Sequence, residues 1–124
     1  MNFEERIKST QPDGIHINCI GTAFYITEVI PEERSVSQIE ANTLIDKLDI
    51  LDEPELGCLT IFRKDEVIAH GAVVSKLSPL TVTYRGDEPD IESNYKVMDK
   101  SVDELLKEYG ANSIEYRKAP NSPN

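Results

Sequence analysis

Residues 18–31, NCIGTAFYITEVIP, constrain the chain more than any other stretch. They open on a polar residue and a cysteine, pass through small residues, become apolar on nearly every side, and stop at a proline. Ile20, Ala23, Phe24 and Thr27 fall at i, i+3, i+4, i+7 spacing, and Cys19, Ala23, Ile26 and Ile30 supply a second apolar stripe. The stretch therefore predicts a helix buried on two faces and ended by Pro31, a helix that other elements must cover. Its N-terminus carries unpaired backbone N–H groups and the positive end of the macrodipole, and both favour a thiolate. Cys19 is thus a candidate nucleophile, although buried thiols more often do nothing but pack.

The remainder of the chain must supply the cover. With 124 residues, of which 39% are hydrophobic, it has enough material for one core and one domain, expected over residues 1–118. The closing Ala-Pro-Asn-Ser-Pro-Asn is too polar to bury, so residues 119–124 are expected to form a disordered tail. A net charge of −10 argues against a phosphate-tracking surface and so against a nucleic-acid partner. The N-terminal MNFEERIKSTQPDG lacks an apolar leader, and no run approaches the roughly 20 apolar residues of a membrane span. A soluble, cytoplasmic protein without a membrane partner is the expectation. In that compartment Cys19 and Cys58 are expected as thiols rather than as a disulfide.

In chain order, Asn2 and Glu5 form a capped helix start before the turn at Gln11-Pro-Asp-Gly. Pro31-Glu-Glu-Arg follows the cysteine helix as a polar loop. Ser37 and Glu40 form a capping box for a second helix, in which Ala41, Leu44, Ile45 and Leu48 make one apolar face. Residues 49–56 then read as an acidic loop, and the period changes from helix to strand. Cys58-Leu-Thr-Ile-Phe-Arg, Glu66-Val-Ile-Ala-His-Gly-Ala-Val-Val and Leu80-Thr-Val-Thr-Tyr-Arg predict three consecutive antiparallel strands joined by short turns. A further short strand is expected at Tyr95-Lys-Val-Met. A capping box of Ser101 and Glu104 opens a helix with Val102, Leu105, Leu106 and Tyr109 on one face, ended by Gly110, and Ser113-Ile-Glu-Tyr-Arg is the last strand. Helices first and an antiparallel sheet afterwards is an α+β layout, with the cysteine helix laid across one face of the sheet.

That layout directs attention to His70. Strand alternation groups it with Ile68, Ala72 and Val74 on one face of the middle strand. A histidine inside an apolar strand is costly to bury without a partner, and a thiol at a helix start is a suitable one. Such a pair would act as a thiolate–imidazolium nucleophile and base for acyl transfer. The competing reading is a histidine that only packs.

Three stretches carry a family resemblance: Asn18-Cys-Ile-Gly-Thr-Ala, Pro54-Glu-Leu-Gly-Cys-Leu-Thr-Ile-Phe-Arg, and Ile68-Ala-His-Gly-Ala-Val-Val. In this order they resemble the papain-like fold of the NlpC/P60 cysteine peptidases and the related CHAP amidases. The resemblance spans residues 18–117 and implies an α+β fold with N-terminal helices on a small antiparallel sheet. It also implies a cysteine hydrolase of amide bonds, with a peptide or other amide as substrate and no cofactor. Cys19 would be the nucleophile and form the acyl-enzyme, His70 the base, and the backbone N–H of Cys19 an oxyanion donor. The residue that orients the imidazole would come from the strand after His70, as Tyr84 or, one residue out of register, Thr83. A tyrosine there departs from the family's usual His, Asn, Gln or acid, and Cys58 stands where the family commonly has Asp.

Two other functions fit the same residues. His16, Cys19, Cys58 and His70 are all the histidines and cysteines of the chain, and together they would make a structural zinc site. A papain-like domain without activity would instead be a binding or regulatory module, in which Asp49, Asp52, Glu53 and Glu55 select a cationic partner. Oligomeric state is left open by the sequence.

Overall fold

The computed structural model describes residues 1–12, 17–86 and 96–120. Apart from the short strand β1, its elements follow the expected order: α1 (Phe3–Lys8), α2 (Cys19–Ile26), α3 (Gln38–Ile45), β1 (Ile50–Leu51), β2 (Leu59–Lys64), β3 (Val67–Leu77), β4 (Leu80–Arg85), β5 (Val97–Ser101), α4 (Val102–Glu108) and β6 (Ser113–Arg117). The strands form one antiparallel, six-stranded sheet in the order β1-β6-β2-β3-β4-β5. The last strand thus inserts between β1 and β2. This is an α+β fold with helices on both faces of the sheet.

Side-chain alternation along the strands divides the core in two. Leu59, Ile61, Ile68 and Val73 face α2 and α3, and join Ile20, Ala23, Phe24, Ala41 and Ile45 in a first cluster. Cys58, Phe62, Ala72, Val74, Val82 and Tyr84 face the other way and pack on Val102 and Leu105 of α4. The central helix reaches the sheet closely because Gly71 of β3 has no side chain. A Cβ built there would lie 3.4 Å from both the Ala23 Cβ and the Ile20 Cα.

Local chemistry accounts for most element ends. Asn2 with Glu5 and Ser101 with Glu104 form complete capping boxes on α1 and α4. At α3 the box is half made. Ser37 accepts from the Glu40 N–H, but the Glu40 carboxylate turns to Arg34, at 2.7 Å and 2.8 Å. Asn18 caps α2 by accepting from the Gly21 N–H at 2.8 Å, and its amide also donates to the Val36 carbonyl at 2.7 Å. One side chain therefore starts the helix and ties it to the segment that leads into α3.

The expected end of α2 needs correcting. The helix stops at Ile26, short of Pro31, in a Schellman-type turn: Glu28 N–H donates to the Tyr25 carbonyl and Val29 N–H to the Phe24 carbonyl. Glu28 takes the left-handed position at φ 65°, usually held by glycine, and its carboxylate meets Arg6 at 2.9 Å. Arg6 also lies over the Tyr25 ring at 4.9 Å, which fastens α1 to α2. Three smaller expectations also shift. The acidic stretch at 49–56 contains β1, and the strand anticipated at Tyr95 begins instead at Val97, with Tyr95 outside the described residues. Ala119, assigned to the tail, is buried, while residues 121–124 lie outside the described residues.

Gly21 is the tightest point of the helix. A Cβ there would sit 1.7 Å from the Arg34 carbonyl oxygen. Helix propensity alone favours alanine over glycine by about 1 kcal/mol. Against a backbone atom that gain is lost, so Gly21→Ala is expected to destabilise the fold by roughly 1–3 kcal/mol in urea unfolding. A stabilised variant would mean that the loop at Arg34 moves freely.

Candidate functional site

The first turn of α2 holds Cys19 as expected, 5% exposed and immediately after its Asn18 cap. It belongs to the first core cluster. The structure does not bring it to His70. In the β2–β3 ladder Phe62 pairs with His70 while Arg63 pairs with Ile68, so Ala69 is an extra residue, a β-bulge. The bulge breaks the alternation that would have grouped Ile68 with His70. Ile68 points to the α2 and α3 side, and His70 points to the α4 side with Ala72 and Val74. Gly71, the next residue, meets α2, which again puts the His70 side chain on the opposite face. The expected Cys19–His70 dyad is therefore not assembled, because the sheet itself lies between the two side chains.

His70 is sealed among rings. It stacks on Tyr109 at 4.1 Å and 15°, meets Tyr84 edge-on at 5.0 Å, and lies 5.9 Å from Phe62. It is fully buried, and among the described residues neither ring nitrogen reaches a hydrogen-bond partner. Burial disfavours the charged imidazolium and pushes its pKa down to about 3. Such a ring is neutral across the physiological range and behaves as an aromatic core residue.

The two candidates for the orienting position separate as well. Tyr84 is with His70, but the contact is ring to ring; burial, the largest influence, raises its pKa. Thr83 is paired with Val73, which places it on the α2 side, and its hydroxyl donates to Asp99 on β5 at 2.5 Å. Cys58 lies on the His70 side with its thiol pushed up to about 11, mainly by burial, which makes it unreactive. The proposed zinc set is likewise split across the sheet, with Cys19 on one face and Cys58 and His70 on the other. His16 lies outside the described residues, and among the described residues no three His, Cys, Asp or Glu side chains gather to hold a metal.

What stands next to the first turn of α2 is a buried ionic network that the sequence did not announce. Arg85, at the end of β4, is fully buried and donates to Glu33 at 2.6 Å and to the Thr22 hydroxyl at 2.7 Å. Thr22 in turn donates to Glu33 at 2.7 Å, and the Gln11 N–H donates to the other Glu33 oxygen at 2.7 Å. Both carboxylate oxygens are thus engaged in fixing structure. A hollow of about 340 Å³ edged by Ser9, Gln11, Tyr25, Pro31, Glu32 and Glu33 opens beside this network. The only sequence signal for the network was an arginine closing a strand that carries no other charge.

Comparison with known proteins finds no matching family model, no matching curated protein and no matching solved structure.

The sealed imidazole has a measurable consequence. The ring titrates near 6.5 when exposed and near 3 when folded, so between those values the unfolded chain binds more protons. Stability is then full above about pH 6.5 and declines as pH falls towards 3, by about 2 kcal/mol between pH 7 and pH 5. His70→Phe keeps a ring against Tyr109 and removes this titration. Urea unfolding at both pH values is expected to show that wild type loses about 2 kcal/mol more than the variant on acidification. Equal losses would show that His70 is not the group responsible.

Proposed function

We propose that this chain acts by binding rather than by hydrolysis, as a papain-like domain of NlpC/P60 type in which the cysteine helix and the sheet are kept as a scaffold. The architecture invites the comparison: a helix with a thiol in its first turn crosses the middle strand of an antiparallel sheet at a glycine. The observation that carries the non-catalytic part is the placement of Cys19 and His70 on opposite faces of β3. A base must lie within hydrogen-bond reach of the group it deprotonates, directly or through one water. For His70 to serve Cys19, β3 would have to slip by one residue between Ala69 and Gly71. That slip would expel Gly71 from under α2 and drive a side chain into the helix.

Neither side chain is open to a substrate. Cys19 lies within the first cluster and His70 beneath the α4 side, so an amide would need to displace core packing to reach them. The hydrolase reading predicts the reverse, a thiol whose reactivity depends on the imidazole.

Alkylation separates the two. With Cys58→Ser as background, the rate of Cys19 modification by iodoacetamide is expected to be slow and to follow the same pH profile with His70 or with His70→Phe. A profile that moves to higher pH on loss of the imidazole would restore the dyad and overturn the binding reading.

A further inference from the structure

The sheet has one edge that is both open and chemically marked. In the β1–β6 ladder Ile50 faces Arg117 and Leu51 faces Tyr116, and the Lys118 N–H donates to the Asp49 carbonyl at 2.9 Å. Hydrogen-bonded and non-hydrogen-bonded pairs alternate along antiparallel strands. With Asp49 and Lys118 forming a bonded pair, Ile50 and Arg117 form a non-bonded one. The Ile50 N–H and C=O therefore point away from β6, towards the side of β1 on which the sheet has no further strand among the described residues. The Ile50 side chain is 63% exposed at the same point.

The residues around this edge select what can use it. Asp46, Asp49, Asp52 and Glu53 are all exposed on the segment that carries β1. They outnumber Lys47 and Lys118 beside them, and Arg117 is tied to Glu115 at 2.8 Å and to the Leu48 carbonyl at 2.9 Å. Two copies of this chain meeting edge to edge would bring the carboxylates together, and like charges across an interface oppose pairing. A segment rich in lysine or arginine meets the opposite situation. An added strand gains main-chain hydrogen bonds from the edge and specificity from alternate side chains.

Resting on the reading of this chain as a binding domain, we infer that β1 is its docking edge and that the occupant is an extended, lysine- or arginine-rich segment of another protein, added as a seventh strand beside Ile50. Main-chain bonds to Ile50 set the register. The exposed Ile50 side chain packs against an apolar residue of the segment, and the four carboxylates meet cationic residues at its neighbouring positions.

The test uses a short blocked peptide of alternating lysine and valine, with an alternating glutamate and valine peptide as counterpart, followed by amide NMR on the full chain. The lysine peptide is expected to shift and protect the amides of residues 49–52, with binding that weakens at high salt, and the glutamate peptide to leave them unmoved. Ile50→Pro removes the outward N–H at an edge position where proline is tolerated. It is expected to weaken binding at least roughly tenfold, a change of about 1.4 kcal/mol, with the unfolding midpoint little changed. Asp49→Asn with Asp52→Asn and Glu53→Gln, which leaves the backbone alone, is expected to weaken binding and flatten its salt dependence. No binding at millimolar peptide, equal binding of both peptides, or shifts confined to another surface would each overturn the proposal. Because the alkylation profile of Cys19 does not involve β1, failure at this edge is distinguishable from failure of the non-catalytic reading.

Discussion

β3 is the strand that every layer meets, and one extra residue decides which side each of its side chains faces. Above Ala69 the strand turns Gly71 and Val73 towards α2 and His70, Ala72 and Val74 towards α4. Below it, Ile68 faces α2 and α3. The helix can lie against the sheet only because glycine occupies the crossing point, and the period-two pleat then requires the residue before it to point away. Helix contact at Gly71 and a buried ring at His70 are thus one constraint seen from two sides. A chain that kept the glycine contact while turning His70 towards Cys19 would need a different bulge.

The charged network beside the first turn of α2 works differently. Arg85 and Glu33 are almost wholly buried, so each has given up hydration that its partners must replace. Three donors converge on the Glu33 carboxylate, and Arg85 links the end of β4, the Thr22 hydroxyl and the Gln11 carbonyl. A buried pair of this kind is weak evidence for stability, since apolar residues of similar volume often do as well. Its effect is positional: it joins segments that are far apart in sequence, the N-terminal loop, the loop after α2 and the sheet, at the turn where Cys19 sits. The Glu115 carboxylate does the same on the sheet, meeting Arg63 and Arg117, while Arg117 also reaches the Ile45 carbonyl at the end of α3 and the Leu48 carbonyl just beyond it.

The local part of this fold was legible and the long-range part was not. Capping residues at Asn2, Ser37 and Ser101 announced three helix starts, because the signal and its effect lie within one turn of chain. The stop of α2 was misplaced because the position that wanted glycine holds Glu28, leaving Pro31 as the visible breaker. The bulge was invisible: Ile68, Ala69 and His70 all fit a strand, and only the pairing with Phe62 and Arg63 shows that two residues of β3 oppose one of β2. The bulge moved Ile68 away from the face of His70, and the error in the candidate site was to take the His70 face as the one that meets the helix, when Gly71 and Val73 meet it. Residue type is legible in a sequence, but the face each side chain occupies is a property of the pairing. Arg85 and Glu33 were missed for a related reason, since a charge near a strand end or in a loop looks exposed until the fold encloses it.

The buried histidine shows how residue chemistry and residue role come apart. An imidazole carries general-base potential wherever water or a partner can reach a nitrogen. Enclosed by Phe62, Tyr84 and Tyr109, it keeps its ring and loses that potential, because burial disfavours the charged form. Parallel stacking on Tyr109 gives the ring packing that an aromatic residue would give, and offset aromatic contacts contribute about 0.5–1.5 kcal/mol beyond area burial. The two unmet nitrogens work against that gain. A residue held under this opposition is selected by shape rather than by hydrogen bonding.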